Sequence, residues 1–178
     1  MLGDKIQEAQ QTLRLAADMS RTYYDAPLII CYSGGKDSDV LLDIAKRCLN
    51  PDDFEVVNNH TTVDAPETVY HIREVFKECN STGIRTEITK PMFRGKPTSM
   101  WKLIVENGVP PTRLARYCCR ILKEVAIPNR LLAVGVREKD GEEWLRWWVG
   151  EDIKQIRIED ILNEHIESDN GITGNNPG

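Results

Sequence analysis

Hydrophobic positions along the chain switch between strand-like runs and helical spacing. Short apolar or alternating runs predict strands at 27–31, 54–59, 83–88 and 131–136. Between them, apolar residues recur every three or four positions, which is typical of amphipathic helices. This spacing predicts helices at 4–24, 39–49, 66–79, 98–106 and 112–125. Strands that alternate with helices indicate an α/β fold: an open, mostly parallel twisted sheet with helices on both faces.

A glycine-containing loop joins the first strand to the helix that follows it, and it is Tyr32-Ser33-Gly34-Gly35-Lys36-Asp37-Ser38. Glycines let the backbone turn tightly and approach an anion closely. The helix N-terminus offers free N–H groups, Lys36 adds positive charge, and Ser33 and Ser38 offer hydroxyl donors. The loop therefore predicts a phosphate cradle. The alternative is an ordinary tight turn in which Asp37 or Ser38 caps the helix.

The predicted topology would bring three segments together. The cradle at 32–38, the segment at 60–68 and the turn at 136–138 each follow a strand. Ligands of parallel sheets bind at the carboxyl ends of the strands. We therefore expect these segments to gather at one edge of the sheet and to form a single site.

Composition limits the class of protein. With 178 residues, 40% of them hydrophobic and 29% charged, the chain fits one domain with a sizeable core. We place this domain at 1–166, because 167–178 has the Gly-, Asn- and Pro-rich composition typical of a disordered tail. A net charge of −5 argues against nucleic acid as a partner. Without a membrane-length apolar run or a signal peptide, we expect a cytoplasmic protein with no membrane partner.

The segment 112–125 carries both charges and thiols. Four cations recur at helical spacing: Arg113, Arg116, Arg120 and Lys123. A separate apolar stripe contains Leu114, Cys118, Ile121 and Val125. Cys119 lies beside the cations, which favour its thiolate, whereas Cys118 is expected in the core. The basic stripe is either an anion clamp opposite the cradle or a solvated face. The other cysteines occupy apolar positions and are expected to be buried: Cys31, Cys48 and Cys79.

Candidate metal ligands are sparse. His60, His71 and His165 are scattered, and none pairs with another His or Cys at metal-ligand spacing, so we predict no protein-held metal site. His60 ends a strand near the presumed ligand and could contact it. Asp37 could orient Lys36 or bind a Mg²⁺ ion held between phosphates, and helix capping is its competing role.

Four segments together resemble one family. Residues 33–38 resemble the phosphate loop of the N-type ATP pyrophosphatases and the phosphoadenosine phosphosulfate (PAPS) reductases, within the adenine nucleotide alpha-hydrolase superfamily. Residues 62–68, in which Pro-Glu-Thr opens a helix, are similar to the segment after the second strand of PAPS reductase-like proteins. Residues 116–123 resemble their Cys-bearing helix, and 135–137 resemble their late Gly-x-Arg turn. The resemblance covers roughly 4–140 and implies a Rossmann-like fold.

The resemblance also implies a site for an adenine nucleotide. The loop would hold the phosphate or sulfate end of that nucleotide. The residues expected beside the adenosine follow the second strand: Asn58, His60 and Thr62. The residues expected to face the anion from the other side are arginines: Arg116, Arg120 and Arg137. The catalytic candidates are Lys36, Asp37 and Cys119.

Two departures from the family pattern bear on the reaction. Reductases of this family use a cysteine near the C-terminus, whereas this sequence has no cysteine after Cys119. Iron–sulfur members pair a Cys-Cys with a later Cys-x-x-Cys, which is also missing, so the iron–sulfur ligand set is incomplete. The resemblance therefore supports nucleotide binding more strongly than thiol-based reduction.

Three functions stay open at this point. The first is an enzyme that acts at the α-phosphate of ATP, releases pyrophosphate and leaves an adenylated substrate, with Lys36 and the loop N–H groups stabilising developing charge. The second is reduction of PAPS by Cys119, with a thioredoxin-like donor as partner. The third is a non-catalytic nucleotide-binding module, such as a sensor or a subunit of a larger assembly. The chain could also form a homo-oligomer.

Overall fold

The computed structural model describes residues 2–123 and 127–135. All of them fall in one compact unit that ends at Gly135. The predicted domain limit at 166 and the predicted disordered tail at 167–178 lie outside the described residues and stay predictions. In the part of the chain that is described, no helix has both the length and the apolar character needed to cross a membrane.

Four helices and six strands make up the described unit. The helices are α1 (Leu2–Tyr24), α2 (Lys36–Cys48), α3 (Pro66–Ser81) and α4 (Met100–Asn107). The strands are β1 (Leu28–Cys31), β2 (Phe54–Asn59), β3 (Arg85–Thr89), β4 (Met92–Phe93), β5 (Lys96–Pro97) and β6 (Leu132–Ala133). A short π-helical turn spans Cys119–Lys123. The antiparallel β4–β5 hairpin is an element that the hydrophobic pattern does not predict.

The main sheet is parallel and has the strand order β3-β2-β1-β6. β1 lies inside the sheet, where Ile30 is level with Val56 of β2 on one side and Ala133 of β6 on the other. β3 pairs with β2 in the same direction. The predicted α/β fold with a parallel sheet is therefore confirmed. Because the strands run the same way, their carboxyl ends meet at one edge.

The hydrophobic core forms where helices pack on this sheet. Leu28, Ile29 and Ile30 of β1 are each at most 1% exposed. A continuous apolar run is what a strand covered on both faces requires. The helices contribute buried residues at the predicted spacing: Leu13 and Ala17, Leu42 and Ala45, and Ile72, Phe76 and Cys79. Each fully buried large aliphatic side chain contributes about 1.5–3 kcal/mol, so this cluster fixes the helices around β1.

The predicted α-helix at 112–125 is wrong in its first part and in its type, because the chain becomes helical only at residue 117. Residues 111–116 have no helical structure, and the regular spacing is replaced by π-helical geometry at Cys119–Lys123. Arg113 therefore does not belong to a helical stripe with Arg116, and Leu114, predicted on the buried stripe, is 99% exposed. The predicted end of this helix at 124–125 lies outside the described residues.

Local hydrogen bonds explain why residues 112–116 do not join this helix. Thr112 accepts a hydrogen bond from the Ala115 N–H at its Oγ1 (3.0 Å), and its own N–H donates to the Ala115 carbonyl (3.3 Å). A Thr side chain that bonds nearby backbone offers the chain an alternative to the helix. The Tyr117 hydroxyl donates to the Val109 carbonyl (2.7 Å), which closes the loop around this turn.

Candidate functional site

The cradle turns at Gly34, between β1 and α2. Gly34 has a φ of +75°, and an added Cβ would lie 2.8 Å from Ile72 Cγ1 and 3.1 Å from Thr68 Cγ2. Both the left-handed backbone and the close approach of α3 therefore require glycine at this position. Gly35 differs, because its φ is −95° and the nearest atom to an added Cβ is Ser33 Oγ at 3.5 Å.

The serines of the loop bond to the loop itself. Ser38 is buried, and its hydroxyl donates to the Gly35 carbonyl (2.7 Å) and accepts from the Ser33 N–H (3.3 Å). Ser33 Oγ lies 3.2 Å from Ser38 Oγ and accepts from the Gly35 N–H at 3.4 Å. A hydroxyl has one proton to donate. In this conformation Ser38 therefore shapes the loop instead of presenting its proton to a ligand.

The N-terminus of α2 has no side-chain cap. The helix begins at Lys36, three residues earlier than predicted, with Gly35 in the capping position. The alternative in which Asp37 or Ser38 caps the helix is therefore wrong. The first N–H groups of a helix have no partner within it, and the helix dipole makes this end positive. Lys36 is exposed at the same end, so the loop has the features of an anion site.

The end of β6 packs directly on this helix start. A Cβ added to Gly135 would lie 2.7 Å from the Asp37 carbonyl oxygen and 3.4 Å from the Ser38 nitrogen. Thr68, in the first turn of α3, meets Gly34 on another side. The cradle and the 60–68 segment therefore meet at one edge as predicted, whereas the predicted turn at 136–138 lies outside the described residues and stays a prediction. Arg137, which follows Gly135 by two positions, lies outside them.

Asn58, predicted beside the adenosine, is buried and bonded to the cradle. Its Nδ2 donates to the Tyr32 carbonyl (2.8 Å), immediately before the loop. The Tyr32 N–H in turn donates to the Val57 carbonyl (2.8 Å). The Asn58 side chain therefore holds the backbone in place at the point where the chain leaves β1.

His60 and Thr62 follow β2 at the same edge. The His60 N–H donates to the Thr89 carbonyl (3.1 Å), and the imidazole is partly exposed. Thr62 has a φ of +67°, which is rare for a β-branched residue and marks local strain. Its hydroxyl accepts a hydrogen bond from the Met100 N–H (2.9 Å) at the start of α4.

Asn59 joins the cysteine-bearing turn to the edge of the sheet, a role that the sequence pattern does not reveal. Its Nδ2 donates to the Lys123 carbonyl (2.8 Å), and its Oδ1 accepts from the Thr89 hydroxyl (2.6 Å). The π-helical turn therefore ends beside the carboxyl end of β2, where the predicted nucleotide residues also lie.

The adjacent cysteines differ in their surroundings. Arg116 Nη2 donates a hydrogen bond to Cys119 Sγ (3.7 Å). This thiol therefore lies beside a cation, as predicted. The two sulfur atoms are 4.0 Å apart. Burial raises the pKa of the Cys118 thiol, and the neighbouring Cys119 adds to the increase. Both residues are half-buried, and Arg120 beside them is exposed.

The remaining cysteines are not candidates for a nucleophile. Cys79 is buried as predicted, whereas Cys31 and Cys48 are half-buried. Burial raises the pKa of all three thiols, for Cys31 to about 11. Within residues 2–123 and 127–135, no group of three or more His, Cys, Asp or Glu side chains could hold a metal ion. These residues do not fit an iron–sulfur cluster, which needs four thiolates or their equivalents.

The main sheet is parallel, and at its carboxyl edge a helix begins after two glycines without a side-chain cap. These features define the general class of this protein, an α/β domain with a candidate anion site at the strand ends. The family model of the phosphoadenosine phosphosulfate reductase domain matches residues 27–158, from the start of β1 to beyond β6. The chain belongs to this family, and the resemblance noted in the sequence is confirmed. A search of curated proteins finds no match.

Proposed function

We propose that the chain binds an adenine nucleotide at the cradle and acts at the α-phosphate of ATP with release of pyrophosphate. The observation that supports this most is that α2 begins without a side-chain cap. Gly34 lets the loop before this helix lie directly against α3, and Gly135 lets the end of β6 lie directly against its first turn. The helix start offers backbone N–H groups and the Lys36 ammonium to one anion. Membership of the PAPS reductase domain family supports an adenosine-containing ligand.

The proposed chemistry depends on charge stabilisation. Nucleophilic attack at the α-phosphorus forms a bond to the second substrate and breaks the bond to the β-phosphate oxygen, so pyrophosphate leaves with the electron pair. Lys36 and the first-turn N–H groups would stabilise the charge that develops on the leaving pyrophosphate. Of the two carboxylates in the first turn of α2, Asp37 is the one that would hold Mg²⁺ carried by the nucleotide. The second substrate would supply the nucleophile.

The test combines binding and turnover. We expect Lys36→Ala to weaken ATP binding by about 1.5–3 kcal/mol, the range for a hydrogen bond to a charged group, and to leave adenosine binding unchanged. Lys77→Ala, at an exposed position of α3, is the matched control. Calorimetry measures both affinities, and a pyrophosphate-release assay measures turnover with candidate nucleophiles. Equal losses for ATP and adenosine would contradict a phosphate role for Lys36.

Sulfonucleotide reduction is a second candidate, because Arg116 contacts Cys119. In this reaction the Cys119 thiolate attacks the sulfur of PAPS, and adenosine bisphosphate leaves with the electrons of the broken S–O bond. A thioredoxin-like dithiol would then attack the enzyme S-sulfonate at the cysteine sulfur, expel sulfite and reduce the resulting mixed disulfide with its second thiol. Since burial raises the pKa of the Cys118 thiol, Cys119 is the better nucleophile of the pair.

Cys119→Ser separates the two candidates. We expect this variant to release pyrophosphate from ATP at the wild-type rate and to release no sulfite from PAPS in the presence of a dithiol. Cys118→Ser is the matched control, since it removes the adjacent thiol. Sulfite release that survives in Cys119→Ser would exclude Cys119 as the nucleophile. Loss of pyrophosphate release in the same variant would contradict the first candidate as stated.

A further inference from the structure

Three side chains beside the cradle form a hydrogen-bonded group that we call the tyrosine clamp: Tyr32, Asp39 and His71. The Tyr32 hydroxyl donates to Asp39 Oδ1. His71 Nε2 lies 3.0 Å from the Tyr32 hydroxyl oxygen and 3.3 Å from Asp39 Oδ1. The members come from the first residue of the loop, the first turn of α2 and the second turn of α3. The sequence gives no sign that they meet.

The hydrogen-bond roles within the clamp follow from the number of protons. Tyr32 has one hydroxyl proton, which goes to the Asp39 carboxylate, and a carboxylate only accepts. His71 Nε2 is therefore the donor in both of its contacts, and its single proton is shared between the Tyr32 hydroxyl oxygen and Asp39 Oδ1. Burial raises the pKa of the Tyr32 phenol and the bond to Asp39 adds to this, so the phenol keeps its proton.

The aromatic ring of Tyr32 is fixed as firmly as its hydroxyl. Tyr32 is 2% exposed, and its ring packs on Phe76 of α3 with 5.9 Å between ring centroids. A hydroxyl on a ring that cannot move holds its partners at a fixed distance. The clamp therefore links Asp39 of α2 to His71 of α3 through the rigid side chain of Tyr32, which directly follows β1.

Two members of the clamp, Tyr32 and Asp39, flank residues 33–38 in the sequence, and the third, His71, lies next to a residue that contacts Gly34. Tyr32 is the first residue of the loop, Asp39 directly follows its last residue, and the Asp39 N–H donates to the Gly35 carbonyl (3.0 Å) within the loop. Gly34, between them, lies against Ile72, the residue that follows His71. Any shift of Asp39 relative to α3 would therefore move the loop carbonyls and N–H groups.

Asp39 also poses an electrostatic problem that the clamp solves. A carboxylate in the first turn of an anion-binding helix would repel a phosphate. The hydrogen bonds from Tyr32 and His71 hold the Asp39 carboxylate against α3 and share its charge with two donors. A carboxylate that accepts two such hydrogen bonds repels an anion at the helix N-terminus less strongly.

We propose that the tyrosine clamp is a positioning device that sets the geometry of the phosphate cradle and keeps the Asp39 carboxylate from the bound anion. Its members act through the loop and do not touch the phosphate. The proposal rests on the proposed function of the cradle. It assigns a positioning role to the Tyr32 side chain and adds Asp39 and His71, which lie outside the glycine motif.

The first experiment needs no ligand. Tyr32→Phe removes one hydroxyl and keeps the ring that packs on Phe76. We expect the amide NMR signals of Gly34 and Gly35 to shift and their hydrogen exchange to quicken, with the melting temperature of the fold lowered by only a few degrees. Tyr70→Phe is the matched control, because Tyr70 lies on α3 beside His71 and is 64% exposed. Unchanged cradle signals in Tyr32→Phe would overturn the clamp.

The second experiment measures binding by calorimetry. We expect Tyr32→Phe to weaken ATP binding roughly tenfold, because the loop geometry is no longer held and the Asp39 carboxylate is free to approach the phosphate, and to leave adenosine binding unchanged. His71→Ala should weaken ATP binding similarly. His71→Gln should restore it, because the glutamine amide can donate from nearly the same place. Equal losses for ATP and adenosine, or no rescue by glutamine, would overturn a positioning role.

The two proposals fail in different ways. If the wild-type chain binds neither ATP nor inorganic pyrophosphate, the proposed function fails, and with it the electrostatic part of the clamp proposal. The loop signals of Tyr32→Phe still decide whether the clamp sets the cradle. If the wild-type chain binds ATP and Tyr32→Phe binds it equally well, the clamp proposal fails and the proposed function stands.

Discussion

The two glycines of the cradle have different tasks. Gly34 has a left-handed backbone, and α3 leaves no room for a side chain there, whereas Gly35 has an extended backbone with space around it. Gly34 is therefore required by the fold. Gly35 is available for the close approach of a ligand, because a glycine in an ordinary conformation has no structural need of its own.

This difference gives a prediction for paired substitutions. We expect Gly34→Ala to lower the free energy of unfolding by about 1–2 kcal/mol, the cost of a left-handed alanine, and more where Ile72 cannot yield. Gly35→Val should lower the stability by less, because valine is only a poorer helix cap than glycine there, and should abolish ATP binding. Urea denaturation and calorimetry on both variants measure the two effects. Wild-type ATP affinity in Gly35→Val would refute the assignment of the cradle.

At the scale of elements, the end of β1 makes the stability of the fold sensitive to alkaline pH. Burial raises the pKa of the Cys31 thiol from 9.0 to about 11. Below pH 9 the thiol is protonated in the folded and the unfolded chain, so its contribution is complete. Between these two values the unfolded chain releases its proton first, which favours unfolding.

We therefore expect the Cys31 contribution to fall by on the order of 2–3 kcal/mol as the pH rises from 9 towards 11. Cys31→Ala should remove this part of the pH dependence. Urea unfolding of both proteins across this range gives the difference, in which the titrations of all other groups cancel. A wild-type-minus-variant difference that does not change with pH would show that Cys31 titrates normally.

For the whole molecule, the cradle joins elements that are distant along the chain. It is built from β1, α2, α3 and the end of β6, so a ligand that binds there binds only the folded unit. ATP at a hundred times its dissociation constant should raise the free energy of unfolding by about 2.7 kcal/mol.

Thermal unfolding with ATP, with GTP and without nucleotide measures this effect. Lys36→Ala, at the same ATP concentration, should show a smaller shift in melting temperature. An equal shift with GTP would contradict the proposed preference for adenine. No shift with any nucleotide at saturating concentration would contradict binding at the cradle.

The sequence alone determined the α/β class, the parallel sheet, the glycine turn between β1 and α2 and the family. Each of these depends on local information. Hydrophobic periodicity identifies a strand or a helix from its own residues, and the glycine motif between β1 and α2 needs only a few adjacent positions. The stop of α4 is similarly local, since Gly108 follows it with a φ of +71°. These features could be predicted because packing reinforces what the chain prefers locally.

Only the tertiary structure decided how residues far apart in the sequence meet. Asn59 holds the Lys123 carbonyl, and Gly135 lies against Asp37. The same holds for the segment after Pro111, where spacing predicted a helix and the hydrogen bonds of Thr112 formed a turn. Periodicity records which face of a segment is apolar, but not which polar group on another element will satisfy its backbone. Those pairings arise only when the sheet brings the strand ends to one edge.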